Sequence, residues 1–379
     1  MSTGICLWGK YITMITLDKL LDFSGGEKFY RFGNTDGKYW IMPARNMRTA
    51  MNLYQPSGSK GKMVKSLLPC LHRLPPVRKA IHATTMHCCL KSEICGLLCE
   101  IFGTSDIEFA IFEGTPSVHQ KITMQISCKG KILGYCKLSE NNDIKVLFEK
   151  ESDILARLAG NGVKNIPQAL RCGTLKNGMH IFVQSTAKSV SSRVIHEWSD
   201  LHEDFLAQLH DKTKQLVPFE ESDCCKSIDA IGKAMDNLPD CIDRKVIATA
   251  IADIHKEFDG KAMELSAYHG DFTPWNMFAN GKELFVFDFE YAAMSYPKGL
   301  DRYHFFTQTA IFERHWNAND ITAFIESNNG KWIDKKLYTI YLLDMISRFA
   351  LRENGKVSGK AATPFALWGK ILESLMVNN

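Results

Sequence analysis

The sequence YHGDFTPWN at residues 268–276, followed by LFVFDFE at residues 284–290, is the most informative part of this 379-residue chain. Asp271 and Asn276 lie five positions apart, on a stretch that Pro274 stiffens. Asp288 comes twelve positions after Asn276, at the end of an apolar run that is typical of a short buried strand. The two stretches therefore place the side-chain oxygens of Asp271, Asn276 and Asp288 on short, constrained segments.

These three side chains match the demands of phosphoryl transfer from ATP. That reaction needs a carboxylate that orients and deprotonates the attacking hydroxyl, and oxygen ligands that hold Mg²⁺ against the phosphates. Asp271 can supply the base, Asn276 an amide ligand and Asp288 a carboxylate ligand. Taken singly, each also has an ordinary structural explanation, because Asp and Asn favour turns and helix N-caps.

The hydrophobic pattern predicts strands first and helices later. Runs of β-forming residues separated by turn residues predict strands at residues 108–112, 121–127 and 131–138. A helix is expected over residues 148–158, and Asn177-Gly178 indicates a hairpin between two further strands. After residue 185 the pattern is mainly helical, apart from a β-like island at residues 268–291.

The HGD motif at residues 269–271 with Asn276, and the DFE motif at residues 288–290, resemble the catalytic and metal-binding motifs of the aminoglycoside phosphotransferase / choline kinase family. Pro297 and Asp301 are similar to the family's later Pro-x-x-x-Asp, and the resemblance covers about residues 100–310. It implies an α+β, two-lobed protein-kinase-like fold with a β-rich N-lobe and a mainly helical C-lobe. An extra N-terminal basic region would precede the lobes.

The resemblance also implies roles for individual residues, with ATP and Mg²⁺ as cofactors. Asp271 would be the catalytic base, and His269 would organise the catalytic loop. Asn276 and Asp288 would be metal ligands. Glu290 would be either a supporting ligand or part of the acceptor site. Asp301 would support the catalytic loop by accepting hydrogen bonds from its backbone.

Upstream, the resemblance assigns phosphate placement to Lys137, paired with Glu151 fourteen residues later. Lys131 and Lys145 are alternatives, but Lys137 lies within the apolar strand rather than at a turn. An ion pair between strand and helix would position the ammonium group, as in kinases generally.

The turn EGTPSV at residues 113–118 would cover the nucleotide phosphates through Gly114, Thr115 and Ser117. It contains one glycine, whereas a full G-x-G-x-x-G motif has three. This turn is therefore the part of the expected nucleotide site that departs most from the family's pattern.

We expect three regions: an N-terminal basic accessory region at residues 1–100, a nucleotide-binding N-lobe at 101–185, and a catalytic and acceptor-binding C-lobe at 186–379. The expected activity is transfer of the γ-phosphate to a hydroxyl of a small molecule, with a sugar or glycoconjugate narrowly preferred. The alternatives are a choline- or aminoglycoside-type kinase, and a catalytically silent nucleotide-binding regulatory or scaffold protein of the same fold. The intact motif residues argue against the silent alternative.

Two groups of residues bear on the acceptor. A cationic acceptor needs a carboxylate-rich cleft, for which the segment 312–330 offers Glu313, Asp320 and Glu326, although all three could equally be surface charges. An aromatic cluster could stack on a sugar ring, cage a quaternary ammonium or belong to the core; it comprises Tyr291, Tyr296, Tyr303, Phe305, Phe306 and Trp316.

The formal net charge of +4 conceals an uneven distribution. Residues 37–92 contain ten Lys and Arg and no Asp or Glu, which leaves 36 basic and 42 acidic residues elsewhere, a balance of −6. Such a segment could bind anionic lipid head groups, at about 1 kcal/mol per cation, or nucleic-acid phosphates. We expect docking within the chain first and an anionic membrane surface second, and we do not expect nucleic acid as a partner.

The cysteines indicate the compartment. None of the 12 cysteines forms a C-x-x-C pair, so neither a zinc site nor a disulfide framework is expected. No run of about 18 uncharged apolar residues occurs. We therefore expect a cytoplasmic protein, with peripheral membrane association as an option for the basic region.

Overall fold

The computed structural model describes residues 17–56, 58–115, 120–352 and 362–377. The described residues fall into two compact units. The first unit comprises residues up to 159, 165–193 and 279–285, and the second comprises 160–164, 194–278 and the residues from 286 onward. An eight-stranded sheet dominates the first unit, whereas the second is mainly helical. The α+β class with a β-rich part followed by a helical part is therefore confirmed.

The first unit is built around one antiparallel sheet. Its strands are β1 (Leu21–Gly33), β2 (Tyr39–Pro43), β3 (Thr84–Leu90), β4 (Glu108–Phe112), β5 (Ile122–Cys128), β6 (Lys131–Ser139), β7 (Ala169–Thr174) and β8 (His180–Ser185). Its helices are α1 (Met47–Ala50), α2 (Ser59–Leu71), α3 (Pro75–Ala80), α4 (Ser92–Phe102) and α5 (Asn142–Gly160). The strand order is β3-β1-β2-β4-β5-β6-β8-β7.

Strands β4, β5 and β6 lie within one residue of the positions that the sequence predicts. Strands β7 and β8 form the predicted hairpin, with Gly178 in its turn at a φ of 84°. The helix predicted over residues 148–158 is longer, because α5 begins at Asn142. The local patterns of this segment are therefore enough to locate its elements.

The described part of the N-terminal 100 residues contributes three strands, β1, β2 and β3, to the same sheet. Strand β2 pairs with β4, through Trp40 opposite Phe112 and Ile41 opposite Ile111. The sheet is thus continuous across residue 100, where the sequence predicts a boundary between an accessory region and a lobe. Residues on both sides of that position belong to one compact unit.

Both faces are buried at the end of β1, residues 29–32, and along β2. Phe29 packs into a cluster with α4, whereas its neighbour Tyr30 packs on the opposite face, in a cluster with α2 and α3. Ile41 and Met42 divide in the same way. A strand buried on both faces lacks the polar–apolar alternation of a half-exposed strand, so its pattern does not distinguish it from a helix or an apolar loop.

Prolines in this region begin a helix as well as interrupting one. Pro69 lies inside α2, in its last turn, where it removes one backbone N–H donor from the helix. Pro75 and Pro76 occupy the first turn of α3, where backbone N–H groups have no partner within the helix. Pro75 and Pro76 therefore mark the start of a helix.

Among the described residues, the second unit contains seven α-helices and the short strands that lead to the HGD loop. The helices are α6 (Asp200–Thr213), α7 (Asp223–Lys233), α8 (Arg244–Phe258), α9 (Leu300–Phe312), α10 (Ala318–Asn328), α11 (Lys335–Arg352) and α12 (Ala362–Val377). Strands β9 (Gln215–Pro218), β10 (Ala262–Tyr268) and β13 (Ala293–Tyr296) form one sheet in the order β13-β10-β9. Strand β11 (Met277–Asn280) pairs with β12 (Glu283–Val286), and residues 279–285 of this hairpin belong to the first unit. Strand β10 ends directly before His269.

A large apolar core holds the helices of the second unit together. Tyr338 and Tyr341 on α11 are fully buried within it. Within the ranges that the structure describes, every cysteine is a free thiol, and no helix has the length and apolar character needed to cross a membrane.

The contribution of the N-terminal strands to stability can be measured on β1. Phe29 is 2% exposed and Phe23 is 42% exposed, and both lie on this strand. We expect Phe29→Ala to lower the free energy of unfolding by about 3–5 kcal/mol, because it leaves a cavity in the core. The matched Phe23→Ala should change it by less than about 0.5 kcal/mol. Urea unfolding of the full chain compares the two variants, and equal stabilities would contradict an integral role for β1.

Candidate active site

The HGD loop needs a glycine at its centre. Gly270 has a φ of 79°, in the left-handed region that favours glycine. A Cβ atom at this position would lie 2.7 Å from the carbonyl oxygen of Tyr291. A side chain would therefore displace the loop from the backbone against which it packs.

The buried carboxylate of Asp301 holds the loop in place. This residue lies in the first turn of α9 and accepts hydrogen bonds from the backbone N–H groups of His269, at 2.9 Å, and Gly270, at 3.0 Å. Burial raises the pKa of Asp301 to about 7, while the two N–H donors act in the opposite direction. These hydrogen bonds are the contacts that the resemblance implies for this residue.

His269 links the two motifs and is fully buried. Its Nδ1 accepts a hydrogen bond from the backbone N–H of Asp271 at 3.1 Å, and its Nε2 donates to the carbonyl oxygen of Phe287 at 3.0 Å. Burial lowers the pKa of His269 to about 4, which keeps the ring neutral. Because both nitrogens are occupied, this ring organises the loop and does not exchange protons with a substrate.

Asp271 is held from two sides. Its Oδ1 accepts a hydrogen bond from Nε2 of His304 at 2.9 Å, and its Oδ2 accepts one from Nδ2 of Asn276 at 2.7 Å. Burial opposes ionisation of Asp271, but the hydrogen bond and charge of His304 outweigh it and lower the pKa. The side chain is 28% exposed. Asp271 is therefore an ionised, oriented and accessible carboxylate.

Asn276 and Asp288 are connected through their backbones. The N–H of Phe287, the residue before Asp288, donates to the carbonyl oxygen of Asn276 at 3.0 Å. Asp288 itself has a φ of 69° and carboxylate oxygens within 4.8 Å of those of Glu290. Since the side-chain nitrogen of Asn276 is bonded to Asp271, its side-chain oxygen is the atom that can bind a metal. An amide and two carboxylates are the hard oxygen donors that suit Mg²⁺.

Lys137 and Glu151 form a buried ion pair in the first unit. The Lys137 ammonium lies 3.0 Å from one carboxylate oxygen of Glu151 and 2.7 Å from the other, and both side chains are buried. Of the two alternatives, Lys131 is exposed and Lys145 pairs with Glu149 at 3.6 Å. The structure therefore makes the strand-to-helix pair with Lys137, as the resemblance implies.

The turn after β4 is anchored by the N-terminal strands. Arg31 on β1 contacts both carboxylate oxygens of Glu113, at 2.5 and 2.9 Å. Gly114 has a φ of 86°, and a Cβ atom there would lie 2.2 Å from the carbonyl oxygen of Lys121. Thr115 is exposed, and Ser117 lies outside the described residues.

Sequence reasoning missed His304 and Arg348. His304 follows Asp301 by three positions on α9, so both reach the HGD loop from one helix face, and this spacing is a signal that was available. Arg348 on α11 donates to the carbonyl oxygen of Gly270 and pairs with Asp344. It lies beyond the part of the chain that the motif resemblance covers, and no local pattern indicates its role.

The support that Asp301 gives to the loop predicts a stability cost on substitution. In Asp301→Asn one oxygen becomes an N–H donor, so a buried backbone N–H loses its acceptor. We expect the free energy of unfolding to fall by about 1–3 kcal/mol. The control Asp240→Asn removes the same charge at a fully exposed carboxylate. Urea unfolding measures both, and equal effects would show that Asp301 does not support the loop.

Comparisons with known proteins add a structural likeness. No protein-family model matches the sequence, and no curated protein matches it significantly. An aminoglycoside phosphotransferase APH(4)-Ia in complex with AMP-PNP and hygromycin B is 15% identical, with a TM-score of 0.49 and coverage of 76% of this chain and 99% of that chain. A Haemophilus somnus protein assigned as a fructosamine-3-kinase is 15% identical (TM-score 0.46; 75% and 97% covered). The choline kinase LicA of Streptococcus pneumoniae is 15% identical (TM-score 0.45; 66% and 90% covered). These three solved structures are similar to this chain over the shares given, at 15% identity.

Proposed function

We propose that this chain is an ATP- and Mg²⁺-dependent phosphotransferase that moves the γ-phosphate to a hydroxyl of a small molecule. The observation that carries the proposal is the Asp271 carboxylate, which is ionised, partly exposed and oriented by His304 and Asn276. Such a carboxylate can accept a hydroxyl proton as the oxygen attacks phosphorus. A carboxylate that merely stabilised a turn would not need a buried histidine as a second donor.

The remaining residues supply positioning and charge. The side-chain oxygens of Asn276 and Asp288, with Glu290 in support, would hold Mg²⁺, whose charge offsets that of the phosphates. Lys137, oriented by Glu151, would place the nucleotide phosphates. Gly114 and Thr115, with Ser117, would belong to the turn over the phosphates, although only the first two are described. His269 and Asp301 keep the loop in the shape that presents Asp271.

We further propose a carbohydrate hydroxyl as the acceptor. Trp275 lies between Pro274 and Asn276 in the catalytic loop, and its exposed ring contacts the exposed ring of Phe312, with centroids 6.2 Å apart. An exposed aromatic pair beside Asp271 offers an apolar surface on which a sugar ring can stack. Of the aromatic cluster that the sequence offered, most members belong to the core: Tyr296, Tyr303, Phe305 and Phe306 are buried.

The acidic residues that a cationic acceptor would need are already engaged. Glu313 pairs with His196 at 2.8 Å, and Glu326 pairs with Lys335 at 2.7 Å. Asp320 accepts a hydrogen bond from the backbone N–H of Asn317 in the capping box of α10, at 3.0 Å. These contacts favour an uncharged acceptor over choline or an aminoglycoside.

Replacement of the base tests the activity directly. We expect Asp271→Asn to lower turnover by about 10²–10⁴-fold, because the amide cannot accept the proton, and to leave ATP binding largely intact. The control Asp204→Asn, at an exposed position on α6, should keep full activity. ADP release is measured against a panel of sugars, choline and aminoglycosides, and ATP binding by calorimetry. Undiminished turnover in Asp271→Asn would refute the assignment.

The role of His304 predicts a change in pH dependence. Its hydrogen bond favours the ionised form of Asp271, so its loss in His304→Leu should raise the pKa of that carboxyl. The acid limb of the kcat/KM profile should then move to higher pH. In His304→Gln the amide can replace the Nε2–H donor, so the limb should return towards its original position.

The other groups that face His304 and Asp271 are unchanged in His304→Leu and in His304→Gln. They are His269 and Asp288, which act on the charge of Asp271, Asn276, which binds its Oδ2, and Tyr341, whose ring faces His304. An acid limb that stays in place in a folded His304→Leu enzyme would show that this histidine only fills space.

A further inference from the structure

The basic N-terminal segment forms a pocket that the proposed phosphotransfer does not use. The pocket has a volume of about 430 Å³ and is lined by Lys28, Tyr30, Ala44, Arg45, His72, Arg73 and Arg78. Three parts of the first unit supply these residues: strand β1, the end of β2, and the corner between α2 and α3. Four of the seven side chains are Lys or Arg.

Backbone contacts fix the floor of the pocket. The N–H of Ala44 donates to the carbonyl oxygen of Lys28 at 2.8 Å, which joins β1 to the end of β2. Lys28 and Tyr30 are two residues apart on β1 and therefore lie on the same face of the strand. The Lys28 ammonium and the Arg78 guanidinium each lie 5.5 Å from the centre of the Tyr30 ring. The tyrosine thus holds two cations beside one cavity.

Arg78 is anchored and still has donors to offer. One of its terminal nitrogens donates to the carbonyl oxygens of His72, at 2.9 Å, and Arg73, at 2.6 Å. These contacts orient the guanidinium plane at the α2–α3 corner. A guanidinium group has five N–H donors in a rigid fork, which suits two oxygens of one phosphate.

The charge of the pocket is poorly compensated. Among the described residues, the one carboxylate that pairs with these four cations is that of Glu27, 3.8 Å from Arg45, in a contact where both side chains are mostly exposed. Four cations and one carboxylate leave a local charge of +3. Within the described ranges, Lys28, Arg73 and Arg78 form no salt bridge with a carboxylate, so the chain itself does not neutralise them.

His72 provides a second, independent indication of a ligand. The residue is only 7% exposed, and its Nδ1–H donates to the carbonyl oxygen of Pro69 at 3.0 Å. Its Nε2 is buried and has no hydrogen-bond partner within the part of the chain that the structure describes. A buried ring nitrogen without a partner is a polar atom that a ligand bound in the pocket can satisfy.

We propose that this pocket is a binding site for a phosphomonoester or pyrophosphate group. Arg73 and Arg78 contact its oxygens through guanidinium forks, and Lys28 and Arg45 add charge from the strand side. A phosphomonoester carries nearly two negative charges at neutral pH, which matches the local excess better than a carboxylate does. The group can come from a soluble phosphorylated compound or from a phosphomonoester lipid head group, because the same oxygens are recognised.

Binding of pyrophosphate to the full chain tests the site. Calorimetry is performed on the Lys137→Met variant, so that the nucleotide phosphate position of the proposed activity cannot account for the signal. We expect saturable binding, and a loss of affinity of tenfold or more in Lys28→Ala/Arg73→Ala on the same background. The matched control is Lys62→Ala/Lys79→Ala, which removes two exposed charges of the same segment that do not line the pocket. It should lose less than twofold.

Vesicles distinguish the two sources of the phosphate. Phosphatidylcholine vesicles with phosphatidic acid carry a phosphomonoester, and vesicles with phosphatidylglycerol carry a diester. Pocket-dependent sedimentation with phosphatidic acid alone assigns a lipid head group, whereas pyrophosphate binding without sedimentation assigns a soluble ligand. Absence of saturable pyrophosphate binding and of sedimentation overturns the proposal. Equal losses of pyrophosphate affinity in the two double variants also overturn the proposal. Such a result would mean that binding depends on the overall positive charge of the segment and not on the residues that line the pocket. Each result is independent of whether Asp271 supports turnover.

Discussion

The hydrogen bonds that the buried Asp301 carboxylate accepts from the backbone N–H groups of the HGD loop are the constraint on which the candidate site depends. They fix His269 and Gly270, whose left-handed backbone only a glycine can provide without displacing Tyr291. Arg348 holds the carbonyl oxygen of Gly270 from the other side. The loop is therefore held through the backbone N–H groups of His269 and Gly270 and through the carbonyl oxygen of Gly270. These contacts fix the position of Asp271, the next residue in the chain.

Helix α9 supports this loop twice. Asp301 binds the backbone, and His304, one turn later, binds the side chain that the backbone presents. His304 therefore has two effects on Asp271: its hydrogen bond orients the carboxylate, and it also lowers the pKa of that group. Buried His269 remains neutral and connects the same loop to the strand end that carries Asp288. A polar network of this kind is stable only when its members are satisfied together.

Among the described residues of the first unit, some buried charges have a partner of opposite sign, whereas a group of cations does not. The buried pair of Lys137 and Glu151 is internally compensated, whereas the cations around Tyr30 are not. The near-neutral total of the chain is therefore a sum of unlike regions. The N-terminal strands that carry this excess are also part of the main sheet, and through Arg31 they anchor the turn that begins at Glu113. The basic segment is thus structural as well as charged.

Local patterns in the sequence are enough to predict strands β4–β6 and the β7–β8 hairpin. The motifs and their order along the chain indicate the candidate site residues Lys137, Glu151, Asp271, Asn276 and Asp288. The sequence did not reveal strands β1 and β2, because burial on both faces, at the end of β1 and along β2, removes the alternation that identifies a strand. The folded structure is needed to show that Lys137 pairs with Glu151 and that His304 and Arg348 hold the HGD loop. It is also needed to show that Lys28, Arg73 and Arg78 surround one cavity. These contacts join residues from separate helices and strands. Between such elements, the number of residues along the chain does not indicate how far apart two side chains lie in the fold.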